Sequence, residues 1–274
     1  MFLTEITFTY QHSTIENIYK LSNVINQVIE QWRYNGQIIG REIPMFIAQQ
    51  KSDRMYAFIA RVVCPEQQSL YPEFNNSAVD QALEKAQQLG IMFDSLEVLG
   101  QDLNSDDTYY HDTYEGQQPY WQMLYTTYLK SCSPLYTGED SQRMNFLPIP
   151  LYRAFKDAPH LAMDIIKWQE NWQAYDQLQM NAAALEDQAV QELSSTDSTL
   201  FKHGYALCRE IEAHTKVPTY YYLYRVGGKS LEEEEKRKCP MCGAKWRLTK
   251  PLCNVIHFKC DHCRLLSNIS WNWL

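Results

Sequence analysis

Four of the eight cysteines in this chain form two Cys-x-x-Cys pairs, Cys239-Pro240-Met241-Cys242 and Cys260-Asp261-His262-Cys263, with 17 residues between them. Two residues between paired thiols let a tight turn aim both sulfurs at one ion about 2.3 Å away. Gly243, after the first pair, can take the positive φ such a turn often needs. Between the pairs Ala244, Trp246 and Leu248 alternate with Lys245 and Arg247, and Ile256 and Phe258 alternate with His257 and Lys259. That is the period of two strands. The expectation is a zinc ribbon, with one structural Zn2+ held by Cys239, Cys242, Cys260 and Cys263. Four thiolates fill a tetrahedral ion and leave no position open for water or substrate, and a segment of about 40 residues has too little core to fold without it. The competing reading is a redox dithiol. Cys253, His257 and His262 are the replacement ligands, although each would break the symmetry of the two turns. Cys64, Cys132 and Cys208 stand singly in apolar or mixed segments and are expected to be buried, inert thiols.

The same segment carries the chain's positive charge. Residues 236–274 hold eight Lys and Arg against one acid, Asp261, so residues 1–235 carry about −15 of a chain whose net charge is −8. Lys245, Trp246, Arg247, Lys250, Lys259 and Arg264 mix cations with an aromatic ring, a combination suited to phosphate contacts and base stacking. Nucleic-acid binding through the ribbon is one expectation. Against it, Trp246 and Phe258 can simply fill a small ribbon core, and the acidic body argues against broad, nonspecific binding. The alternative is a protein-binding adaptor or inhibitor, for example of the immunity type, whose acidic body meets a basic protein partner.

Enzyme chemistry finds little support. There is no Gly-rich phosphate loop, no H-E-x-x-H, no G-x-S-x-G and no His-x-Glu ahead of Cys239-Pro240-Met241-Cys242. Asp164, Glu170 and Asp176 fall away from the apolar face of a helix and are expected to be solvated; His12, His111, His160, His203 and His214 stand alone. A non-enzymatic protein with no evident small-molecule substrate is expected. The start lacks a basic and then apolar leader and no 18 apolar residues run together, so a cytoplasmic location without membrane insertion is anticipated.

The elements that would position the ribbon follow an α+β pattern. With 274 residues, 45% of them hydrophobic, the chain has material for roughly two domains of ordinary size. Phe2, Ile6, Phe8 and Tyr10 share one face of a strand. The capping box Ser13-Thr14-Ile15-Glu16 then opens a helix running to Asn35-Gly36. Residues 43–49 and 55–63 read as a hairpin across the turn 50–53, Asn76-Ser77 caps a second helix closed by Gly90, and residues 91–99 form a fourth strand. This βαββαβ order predicts a ferredoxin-like domain over 1–100. An acidic loop at 101–118 leads to a mixed α/β middle domain over 119–230. Within it, residues 147–151 are extended by their prolines, Leu161, Ile165, Trp168, Trp172 and Tyr175 mark one helix, and Leu200, Leu207 and Ile211 mark another. Tyr220–Val226 reads as a strand, residues 232–238 as a solvated linker or last helical turn, and 236–274 as the ribbon. Leu265, Ile269, Trp271 and Trp273 alternate with polar residues, as a strand docking on the body or on a partner would.

The segments Pro148-Ile149-Pro150-Leu151-Tyr152-Arg153, Pro218-Thr219-Tyr220-Tyr221-Tyr222-Leu223 and Cys260-Asp261-His262-Cys263-Arg264-Leu265-Leu266-Ser267-Asn268 resemble an uncharacterised bacterial family with a C-terminal zinc ribbon. The resemblance runs nearly full length. It implies the four cysteines as ligands and associates the ribbon with nucleic-acid binding.

Overall fold

The computed structural model describes residues 1–11, 18–49, 55–101, 118–138, 146–182 and 184–273. The capping box, the hairpin turn, residues 102–117 of the acidic loop, His12 and His111 lie outside those residues. The chain is mixed α+β with two sheets and divides into two compact units, one comprising Met1–Tyr109 and Pro150–Met163, the other Tyr110–Ile149 and Asp164–Leu274.

In the first unit, β1 (Phe2–Gln11), α1 (Ile18–Tyr34), β2 (Met45–Gln49), β3 (Met55–Cys64), α2 (Ser77–Gln88) and β4 (Ile91–Gln101) follow in order. Every strand pair is antiparallel, and the sheet runs β2-β3-β1-β4. Period two puts Ile6 and Phe8 of β1 in the core, while Val24, Ile25, Val28 and Trp32 recur along one face of α1 and cover them. Phe8, Trp32 and Phe93 meet with ring centroids 5.3–6.1 Å apart. The predicted cap is in place, the Asn76 side chain accepting hydrogen bonds from the backbone N–H groups of Ala78 and Val79, both at 3.0 Å.

The middle region supplies β5 (Gln122–Leu124), β6 (Leu135–Thr137), α3 (Leu151–Ala154), α4 (Pro159–Met180), α5 (Glu186–Ser194), α6 (Thr199–Thr215) and β7 (Thr219–Leu223), with α3 falling in the first unit. The C-terminal region supplies α7 (Leu231–Glu235), β8 (Arg247–Leu252), β9 (Ile256–Cys260) and β10 (Leu265–Ser267). The strands β5–β10 make one six-stranded sheet in the order β6-β5-β7-β10-β9-β8. Its centre is the parallel pairing of β10 with β7, Leu265 opposite Tyr221 and Ser267 opposite Leu223. The predicted docking strand therefore docks on the chain itself. It ends at Ser267, however, and Trp271–Trp273 forms a 3-10 turn rather than extended chain, because Asn268 turns back to bond the Arg225 backbone. The helix α6 lies close on the sheet: a Cβ on Gly204 would stand 2.3 Å from Trp168 Nε1 and 2.4 Å from Tyr221 Cε2.

Of the two readings of residues 232–238, the helical turn is the one formed, as α7; most of its side chains are exposed, but Glu234 is not. Ser230 caps α7 by accepting from Glu233 N–H, and Glu234 is 2% exposed. Its carboxylate accepts from Arg225 Nε at 3.0 Å and pairs with Arg237 Nε at 3.0 Å. A carboxylate can be buried at this depth because two guanidinium groups meet it there. Among the described residues no helix is long and apolar enough to cross a membrane.

Candidate metal centre

The two Cys-x-x-Cys segments fold as matching turns. In the first, Gly243 N–H donates to the Cys239 carbonyl at 2.8 Å, Cys239 N–H donates to the Ala244 carbonyl at 2.9 Å, and Gly243 has φ +70°. In the second, Cys263 N–H donates to Cys260 Sγ at 3.4 Å and the residue after the pair, Arg264, has φ +52°. Glycine meets this demand without strain at the first turn; Arg264 takes it at the second, where its backbone carbonyl accepts from Tyr221 N–H at 2.9 Å and its side chain is pinned to Glu212.

The Sγ atoms of Cys239, Cys242, Cys260 and Cys263 all lie within 4.8 Å of one another, and Cys242 Sγ stands 3.7 Å from Cys260 Sγ. A tetrahedral ion with sulfurs about 2.3 Å away has S–S edges of about 3.8 Å, whereas a disulfide bond is about 2.05 Å. The four are thus placed to hold a metal ion. Burial and the neighbouring sulfurs push the Cys260 and Cys263 thiols up, while the exposed Cys242 is drawn down to about 7 by the Ala244 backbone hydrogen bond and the adjoining thiols. Four adjoining sulfurs resist sharing four negative charges, and a divalent cation at their centre removes that resistance. None of the replacement ligands joins them: Cys253 is outside the cluster, His262 is exposed, and the buried His257 ring uses Nδ1 on the Val255 carbonyl at 2.9 Å.

The six residues considered for nucleic acid part into two groups. Trp246, 3% exposed, packs on Phe258 with centroids 5.2 Å apart and donates from Nε1 to the Arg237 carbonyl. Arg247 bonds the His257 carbonyl and pairs with Glu235; Lys259 pairs with Asp261 at 3.0 Å beneath Trp121 and Tyr220; Arg264 pairs with Glu212 at 3.1 Å. Lys259, over the rings of Trp121 and Tyr220, and Arg264, on Glu212 of α6, tie the ribbon to the middle region, whereas the partners of Arg247 lie within the C-terminal region. Lys245 and Lys250 are exposed and carry no ion pair among the described residues, and Lys238, also exposed, faces Lys245 across an isolated bridge.

Elsewhere, Cys64, Cys132 and Cys208 are buried, and burial pushes the Cys64 thiol up to about 12 and the Cys208 thiol higher. His160, His203 and His214 are exposed. Asp164 and Glu170 are half-buried, and Asp176, expected to be solvated, is 4% exposed. The expectation failed because α4 is covered over a wider arc than its apolar stripe. Asp176 sits four residues after Trp172 and eight after Trp168, and that helical spacing was the available signal.

Three family models match the chain: Domain of unknown function (DUF8589) at residues 1–100, Domain of unknown function (DUF2310) at 116–224 and Domain of unknown function (DUF8594) at 228–273. The chain is 55% identical over 258 residues, 94% of each chain, to a protein of Haemophilus influenzae named "Uncharacterized protein". A second protein of that name and organism is 53% identical over 213 residues, 77% of this chain and 95% of its own length. No solved structure matches the chain. At this identity and coverage, the chain belongs to the same bacterial family as these two Haemophilus influenzae proteins.

Proposed function

We propose that this is a non-enzymatic zinc-ribbon protein of the cytoplasm, in which one structural Zn2+ braces a ribbon that contacts the backbone of nucleic acid. The observation that carries the zinc assignment is the cluster of four thiols on two matching turns, with an S–S edge of 3.7 Å. Sulfur donors alone, in a tetrahedral set, select Zn2+ over the harder divalent ions. Three domains accompany this reading, ferredoxin-like over 1–100, a mixed middle over 119–230 and the ribbon over 236–274. The all-antiparallel order β2-β3-β1-β4 supports the first of them.

Lys238, Lys245 and Lys250 are the cations available to phosphates, the others being committed to carboxylates of the chain. Three phosphate contacts give a slope of about −2.7 in log K against log salt on duplex DNA, equivalent to about fortyfold between 50 and 200 mM. Fluorescence polarisation of labelled duplex and single-stranded oligonucleotides across that range tests the assignment. Lys238→Gln/Lys245→Gln/Lys250→Gln abolishes binding with metal content unchanged. Binding indifferent to salt or to that triple variant removes the nucleic-acid reading.

A second reading is favoured by the internal pairing of Arg237, Arg247, Lys259 and Arg264, which commits half of the ribbon's eight cations to carboxylates of the chain. In it the acidic body binds a basic protein, and affinity-purified protein treated with nuclease retains that protein as its partner.

A further inference from the structure

We infer that the second unit contains a binding site for a small organic cation, a quaternary ammonium or alkylamine carrying an apolar part, in an aromatic cleft lined in part by Asp176. The cleft has a volume of about 540 Å³, inside the range of about 300–1,000 Å³ typical of small-molecule sites. Tyr125, Trp172, Tyr222 and Tyr224 line it, together with Trp271 from the C-terminal turn. The rings stand in perpendicular pairs: Tyr125 and Tyr222 meet at 81° with centroids 4.9 Å apart, Trp172 and Tyr224 at 86° and 6.2 Å. This edge-to-face packing holds the rings in place as the wall of the cleft, and a ring whose face comes within about 6 Å of a cation lodged there attracts it.

The wall also carries a buried carboxylate, that of Asp176. Asp176 Oδ2 accepts from the Tyr128 backbone N–H at 2.8 Å and Oδ1 from Gln179 Nε2 at 3.1 Å, bonds that hold its direction and favour its ionised form. Among the described residues it has no Lys, Arg or His partner, unlike the equally buried Glu234, which has two guanidinium groups. A buried carboxylate without a countercharge is costly, and a cationic ligand supplies what the chain does not. Burial accordingly raises the Asp176 carboxyl above its usual range despite those two bonds.

The mouth of the cleft completes the specification. Leu129 and Met180 are 76% and 53% exposed and sit with the partly exposed Tyr128 and Trp271 on its rim. Apolar side chains gathered at an opening hold the apolar part of a ligand whose charged end lies deeper. A free anion is disfavoured by Asp176, and a purely apolar ligand would leave that charge unanswered.

The test uses the full-length, metal-loaded protein, with calorimetry and tryptophan fluorescence as readouts. The probes are choline, the neutral alcohol in which carbon replaces the ammonium nitrogen of choline, and phenyltrimethylammonium. Choline binds at least about tenfold more tightly than its neutral counterpart, and phenyltrimethylammonium more tightly than choline. Asp176→Asn, which keeps an acceptor for Tyr128, weakens both cations about tenfold and leaves the neutral alcohol unaffected. Trp271→Ala, at an exposed position that does not threaten folding, weakens phenyltrimethylammonium severalfold and choline less. Equal affinity for choline and the alcohol overturns the proposal without any variant, as does absence of binding at millimolar cation. Undiminished cation affinity in a folded Asp176→Asn protein overturns it as well. Metal content and nucleic-acid affinity are measured in parallel, so failure here is distinguishable from failure of the zinc-ribbon assignment.

Discussion

Replacing Glu234 with Ala should cost the second unit about 3 kcal/mol, several times what an exposed ion pair is worth. The size follows from what is left behind. Arg225 is 31% exposed at its side chain and can turn to water, so its loss of partner costs little. Arg237 is 20% exposed and cannot follow. Its guanidinium lies over Phe258 at 4.5 Å and donates to the Asn268 carbonyl at 2.7 Å, under the ribbon core. Burial already lowers its pKa to about 10, with Glu234 opposing that shift. Removing one partner of a buried pair costs about 3–5 kcal/mol, and the release of Arg225 places the effect at the low end. For a unit of this size the loss corresponds to a fall in Tm of roughly 6–12 °C. Circular dichroism melts of Glu234→Ala at neutral pH measure it. The companion variant Glu234→Ala/Arg237→Met removes both charges and should recover most of the loss, since an apolar chain of similar length fills the same place beside Phe258. A single variant losing under about 1 kcal/mol, the value of a surface pair, would refute the reasoning, and so would a double variant no more stable than the single.

Purified protein should contain one Zn2+ per chain by elemental analysis, lost in Cys239→Ser and Cys263→Ser but retained in Cys253→Ser and His262→Ala; cobalt substitution should give the visible bands of a tetrahedral thiolate site. Gly204→Ala gains about 1 kcal/mol of helix propensity but drives a methyl into two fully buried rings at 2.3–2.4 Å, so overpacking wins and urea unfolding should show a net loss of about 1–2 kcal/mol. Glu234 and Glu212 each contribute stability that acid removes. Burial tends to raise both, but the hydrogen bonds and charges of Arg225 and Arg237 on one, and of Arg264 on the other, hold them below the ordinary carboxylate range. Stability from these pairs is fully present above the unfolded carboxylate pKa of about 4.3 and is lost as pH falls through the lower folded values. Taken as the difference in melts between the unsubstituted protein and Glu212→Gln/Glu234→Gln, which removes the opposed contribution of the raised Asp176 carboxyl common to both, this stability should hold level from neutrality to about pH 5 and decline below about pH 4.5.

The sequence by itself determined the local features: the cap at Asn76, the hairpin partners of the first sheet, the helical stripe through Trp168 and Trp172, and the four thiols with their two turns. Each is specified within a few residues, by a hydrogen bond to a neighbouring N–H, by a period, or by a turn that fixes where two sulfurs point. Tertiary structure decided what depends on distant partners. The ribbon's cations were legible as charges. That Arg264 meets Glu212, 52 positions away, and Lys259 sits beneath Trp121 follows only from the pairing of β10 with β7. The same pairing buries Glu234 between two arginines. Likewise, Asp176 became a buried carboxylate among aromatic rings because the 125–128 segment, β7 and the C-terminal turn converge on α4. Sequence spacing carries the directions of side chains along one element; which charges lose their water depends on the elements that close over them.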